Sequence, residues 1–106
     1  MISRSDLPQL NATVLIKNNI PYEYLKVTPS SIKPIQRDRL PFDDNRYIKI
    51  IRDTYNPLIV DKDFNLIDGH HRYDIIRRME PEMTSVRVLQ LGMSYQEVIN
   101  HFKNNS

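Results

Sequence analysis

The sequence predicts one small α/β (or α+β) domain, a mixed sheet flanked by helices. Three observations predict it. Apolar residues recur with a period of two in some segments and of nearly four in others, the signatures of strands and of one-sided helices. The two kinds of segment alternate along the chain instead of separating into halves. Hydrophobic residues make up 40% and charged residues 26% of 106 residues, the balance of a single folded globule. The expected division is a core over residues 22–91, a helical extension over 1–21 and a C-terminal helix over 94–106.

Ser5 offers an N-cap to the first helix, with Pro8 in its opening turn and Leu7, Leu10, Val14 and Leu15 as its apolar stripe; Asn18, Asn19 and Pro21 end it. From Tyr22 to Val27 the pattern alternates, Glu23, Leu25 and Val27 against Tyr22, Tyr24 and Lys26, as in a half-buried strand. The segment from Ile32 to Pro41 has two prolines and no period, and reads as an ordered, irregular loop. Asp43 or Asp44 then caps a second helix, with Tyr47, Ile48 and Ile51 inward, that stops before Pro57.

Leu58-Ile59-Val60 is a continuous apolar run, the pattern of a strand covered on both faces, and it pairs through a turn with Leu66-Ile67-Asp68. After Asp68 the period changes abruptly: Arg72, Ile75, Ile76 and Met79 fall at i, i+3, i+4 and i+7, so a third helix starts at once and ends before Pro81. Ser85 to Leu91 is another strand, closed by Gly92. Ser94-Tyr95-Gln96-Glu97 has the spacing of a capping box, and Tyr95, Val98, Ile99 and Phe102 stripe a final helix, from which His101 points away as a solvated residue.

Composition removes several function classes. The chain has no cysteine, so disulfides, thiolate metal sites and thiol nucleophiles are excluded. No segment approaches the ~20 apolar residues of a membrane span, and the first residues lack the apolar core of a signal peptide, so a cytoplasmic location and no membrane partner are expected. Fifteen basic residues against 13 acidic ones leave a net charge of +2, which does not mark a nucleic-acid coat. The oligomeric state is left open.

Chemistry concentrates at Asp68-Gly69-His70-His71-Arg72. Gly69, one of two glycines, stands between a strand and a helix. A glycine there permits a sharp turn and a close approach to the main chain, and the first N–H groups of the helix carry a partial positive charge, a combination that suits an anion. Arg72 adds a planar fork of donors matched to phosphate oxygens, and His70 and His71 add donors that titrate near neutral pH. A second reading stands beside this one: two solvated histidines, Asp68 as a helix cap, and Arg72 paired with a carboxylate. A zinc site is disfavoured, because neighbouring helical positions point about 100° apart. Mg²⁺ carried by a nucleotide would find an oxygen ligand in Asp38 or Asp68. Lys33, Arg37 and Arg39, with Arg46, Lys49 and Arg52, form a candidate basic patch, and Tyr73 a candidate stacking ring.

The run Pro57-Leu58-Ile59-Val60, a short turn, Leu66-Ile67-Asp68-Gly69-His70-His71-Arg72-Tyr73 and an Ile-rich helix resembles the ParB/sulfiredoxin superfamily, whose members are often described as ParB-like nuclease domains. Ser31-Ile32-Lys33-Pro34-Ile35-Gln36-Arg37 is similar to the loop that precedes the first core helix there, and Arg4-Ser5-Asp6-Leu7-Pro8-Gln9 resembles small phage-encoded members. The resemblance spans residues 22–91. It implies that Gly69, His70, His71 and Arg72 hold nucleotide phosphates, with Gln36, Arg37 and Asp68 beside them. It further implies phosphoryl chemistry with ATP or another nucleotide and Mg²⁺, as a phosphotransferase, NTPase or nuclease. In these roles Arg72 and His71 stabilise charge, and Asp38 or His70 handles a proton. Sulfiredoxin activity drops out, because His70 stands at that family's cysteine. The Gly-Glu-Arg-Arg turn of chromosome-partition ParB is replaced. The free-serine kinases share the Asp-Gly-His-His-Arg turn, but Gln36-Arg37-Asp38 replaces their loop glutamate, leaving Asp38 as the nearby carboxylate. The alternative is a non-catalytic module that binds DNA or a nucleotide.

Overall fold

Three consecutive apolar residues leave a strand no face to offer water, and Leu58–Val60 (β3) is buried on both sides at the centre of a sheet in a computed structural model that describes residues 1–38, 56–79 and 85–104. The other strands are Tyr22–Val27 (β1), Lys33–Pro34 (β2), Asn65–Asp68 (β4) and Val86–Leu91 (β5), in the order β1-β5-β3-β4-β2. The sheet is mixed: β1 runs antiparallel to β5, β5 parallel to β3, β3 antiparallel to β4 and β4 parallel to β2. Helices Ala12–Lys17 (α1), His70–Met79 (α2) and Tyr95–Asn104 (α3) complete the described residues. None of these helices is long and apolar enough to cross a membrane.

Alternation along the strands splits the core into two layers. Ile59, Ile67, Leu89 and Leu91 face one side, where Leu15 of α1 and Val98 of α3 cover them. Leu58, Val60, Leu66, Val86 and Val88 face the other, against Tyr73 and Ile76 of α2. Each such side chain taken fully from water contributes about 1.5–3 kcal/mol, so the sheet fixes where α2 begins. Strand β1 is an edge strand, and Tyr22 and Tyr24 remain exposed on it.

The N-terminal region departs from expectation. A 3₁₀ turn occupies Arg4–Asp6, the chain then runs extended, and α1 starts only at Ala12. Asn11, not Ser5, is the N-cap, its Oδ1 accepting the Val14 N–H at 2.9 Å. The physical reason lies outside the segment. Ile2 donates its N–H to Ile35 O (2.8 Å) and accepts from Arg37 N–H (2.7 Å), a parallel bridge that a helix begun at Ser5 could not extend from. The irregular stretch after Ile32 likewise contains a two-residue strand, β2, paired with β4.

The Ser94 capping box is present: Glu97 N–H donates to Ser94 Oγ at 3.2 Å, and Ser94 N–H to Glu97 Oε1 at 3.2 Å. The Ser94 N–H, together with the Ser94 hydroxyl 3.1 Å from the same Oε1, holds the Glu97 carboxyl below its ordinary range. A second device went unseen in the sequence. Asp61 is fully buried, and its carboxylate accepts from Asp63 N–H, Asn65 N–H, Asn65 Nδ2 and Tyr95 N–H at 2.8–3.0 Å, joining the β3–β4 turn to the start of α3. His101 is half-buried rather than solvated, with Nε2 3.3 Å from Asn18 Oδ1. The second helix expected from Asp43 or Asp44, with Arg39, Arg46, Lys49 and Arg52, lies outside the described residues, as does Pro81.

Candidate phosphate-binding site

The site begins with an irregularity in β4. Val60 pairs with Leu66, but Ile59 pairs with Asp68, so the register shifts and Ile67 is bulged. Cross-strand partners share a face, so the bulge turns Asp68 to the side of Ile59, where the N-terminal segment lies. There desolvation pushes the Asp68 pKa up, outweighing the Arg72 guanidinium and then the Leu10 main-chain N–H, both of which favour the carboxylate. Asp68 is therefore not the cap of α2.

Gly69 fills that position: its carbonyl accepts the first helical bond, from Tyr73 N–H at 2.8 Å. Its φ of +100° is strained for any L residue, and a Cβ there would stand 2.6 Å from Leu58 Cδ2. The chain thus turns directly from strand to helix with its main chain against β3. By helix geometry, the N–H groups that follow have no acceptor within α2.

His70 is buried and its Nε2 accepts two main-chain N–H groups, from Ile35 at 3.1 Å and Gln36 at 3.2 Å. That nitrogen carries the lone pair and no proton in this geometry. The ring latches the start of α2 to the segment after β2. Arg72 is held from the opposite direction: its Nη1 donates to Asn56 O at 2.9 Å and Pro57 O at 3.4 Å, the residues that enter β3. A guanidinium anchored at one nitrogen is oriented before any ligand arrives. The Tyr73 ring packs with the α2-side core and its hydroxyl reaches Pro29 O at 3.5 Å, so it offers no stacking platform.

These residues line a cleft of ≈ 570 Å³ formed by three stretches of chain. Ile67 to Arg72 is the first, His71 included; Gln36 and Asp38 are the second; Arg4, Ser5 and Leu7 to Gln9 are the third. A further cavity of ≈ 490 Å³ shares Gln9, Asp68 and Arg72 with it. Gln36 is buried and its Nε2 donates to the Asp38 carbonyl. Asp38 is exposed, and its Oδ1 accepts the Arg4 N–H at 2.8 Å. That bond, ahead of the nearby Arg37 and Arg4 charges, holds the Asp38 carboxyl below its ordinary range. Arg37 is exposed and does not line the cleft; its main chain serves the Ile2 bridge. Of the residues singled out in the sequence, the fold brings Gln36, Asp38, Asp68, Gly69, His70, His71 and Arg72 together. The third stretch carried no sequence signal for the site, since it joins through pairing 34 residues away.

Solved structures identify the architecture. The N-domain of a pNOB8-like ParB, in its C2221 crystal form, superposes with a TM-score of 0.59 at 21% identity, over 74% of this chain and 32% of that one. A second structure of such an N-domain gives 0.57 at 27% identity, over 74% and 30%. The chain has a ParB-like fold. It spans about a third of the length of the ParB-like chains it matches. No protein-family model and no curated protein matches it. In ParB-like terms, the Gly69 turn joins the β3–β4 hairpin to the helix that covers it.

Proposed function

We propose that this ParB-like domain binds the phosphates of a nucleotide in the cleft beside Gly69 to Arg72. One observation carries the reading: a glycine at positive φ, where an L side chain would be strained, delivers the start of a ten-residue helix into a nucleotide-sized cleft beside an arginine already anchored at Nη1. Main-chain N–H groups and a guanidinium fork are complementary to phosphate oxygens in charge and shape.

The reading extends to phosphoryl chemistry, with the roles of the two carboxylates separated. Asp68, pushed toward its protonated form, is suited to take up a proton, whereas Asp38, held anionic, is suited to Mg²⁺. Among the described residues no three His, Asp or Glu side chains gather as a metal site, so the ion would rest on carboxylate and phosphate oxygens together. His70, its Nε2 engaged, serves as a positioning residue, and His71 lines the cleft where transferred charge would develop.

The test is a thermal-shift panel of ATP, ADP, CTP, GTP and short duplex DNA, each with and without Mg²⁺, because a ligand of the folded state raises its stability by about 2.7 kcal/mol at a hundredfold excess over Kd. A saturable rise with at least one nucleotide is expected. No shift with any nucleotide contradicts the reading, and a shift with DNA alone moves it to nucleic-acid phosphate. Phosphate release or strand cleavage in the same samples, lost in Asp68→Asn with binding kept, supports catalysis; binding with no turnover reduces the domain to a binding module.

A further inference from the structure

The N-terminal segment contributes two things to the cleft: a length of chain pinned in place and a positive charge. The pinning is made by main-chain hydrogen bonds at two residues. Ile2 is bonded on both sides, to Ile35 O and from Arg37 N–H, and the Arg4 N–H is held by the Asp38 carboxylate. The partner strand is fixed in turn. Ile35 and Gln36 donate to His70 Nε2, and His70 is the first residue of α2. An unbroken series of hydrogen bonds therefore runs from the start of α2 through residues 35–38 to Arg4, and it sets the position of the Arg4 main chain relative to the Gly69 turn.

The Arg4 side chain is exposed and lines the same cleft as Arg72. Two arginines on separate elements, residue 4 and residue 72, thus line one cleft of ≈ 570 Å³. A single phosphate can be met by the turn and one arginine. A second arginine lining the same space, on a main chain held in place, suits a ligand with more than one charged group. The facing carboxylates are Asp38, whose Oδ1 accepts the Arg4 N–H and which lies beside the Arg4 charge, and Asp68, whose pKa desolvation pushes up.

We propose that Arg4 is a second phosphate-binding residue of the cleft, meeting a phosphate other than the one held at the Gly69 turn. The proposal rests on the reading of the cleft as a phosphate site, and the test separates the two. Binding of inorganic phosphate and of pyrophosphate, with and without Mg²⁺, would be measured calorimetrically for the full chain, Arg4→Gln and Arg72→Ala. The Arg4 main-chain bond to Asp38 survives in Arg4→Gln, so folding is unaffected and equal urea midpoints check it. Arg4→Gln is expected to weaken pyrophosphate by roughly tenfold, the loss of one charge-assisted contact, while phosphate stays within about twofold. Equal pyrophosphate affinity in the parent and Arg4→Gln overturns the role of Arg4 and leaves the cleft reading standing. An equal loss for both anions overturns the assignment of Arg4 to a second phosphate. Failure of the parent chain to bind either anion overturns the cleft reading and the proposal with it.

Discussion

Arg72→Ala is expected to lower nucleotide affinity by roughly 10- to 100-fold, since a hydrogen bond to a charged group contributes about 1.5–3 kcal/mol and each 1.4 kcal/mol is tenfold. The effect is large because Arg72 is positioned before binding. Its Nη1 is spent on Asn56 O and Pro57 O, so little side-chain ordering remains to be supplied by the ligand. Arg72→Lys separates shape from charge: a lysine retains the cation and loses the planar fork, so its affinity is expected between those of the parent and the alanine variant. The measurement is calorimetric titration with the nucleotide that gives the largest thermal shift, on variants shown to be folded by their urea midpoints. Parent-like affinity in Arg72→Ala would remove the arginine from the site.

Asp61→Ala is expected to cost several kcal/mol of stability, since each buried donor left without an acceptor costs about 1–3 kcal/mol, against a total of about 5–15 kcal/mol for a domain of this kind. Asp61 is 0% exposed and its two oxygens serve four donors. Removing them leaves main-chain N–H groups at Asp63, Asn65 and Tyr95 without an acceptor, and loosens the turn whose second strand carries Asp68. Asp61→Asn keeps the volume but turns an NH₂ group toward donors, so it should cost nearly as much as alanine. Urea midpoints decide the matter, and an asparagine variant as stable as the parent would show that Asp61 acts by packing alone.

The sequence exposed the parts of this fold whose cause is local. Strand β1, the buried run of β3, the change of period at Asp68 and the Ser94 box depend on residues within a few positions of each other. Cleft features that escaped are tertiary. The Leu7, Leu10, Val14 and Leu15 stripe has helical spacing, but Ile2 gains more by pairing beside Gln36, and Asn11 supplies a cap that no periodicity reveals. The bulge at Ile67 reverses the face on which Asp68 lies, and strand alternation alone assigns it to the other side. Asp61 reads as an ordinary turn residue until Tyr95 is brought to it from 34 positions away. His70 looks like a solvated first-turn residue or a proton carrier, and only the approach of residues 35 and 36 gives its Nε2 two donors. The Gly69 to Arg72 turn was legible because its components are adjacent in the chain; the wall contributed by residues 4–9 was not.

The central claim is that the main chain at the start of α2 receives phosphate. The most direct measurement is a titration of the ¹⁵N-labelled chain with pyrophosphate, following each backbone amide. Saturable shifts should appear first and largest at His70, His71 and Arg72, whose N–H groups open the helix. Saturable binding that moves amides elsewhere while these three stay still would contradict the account.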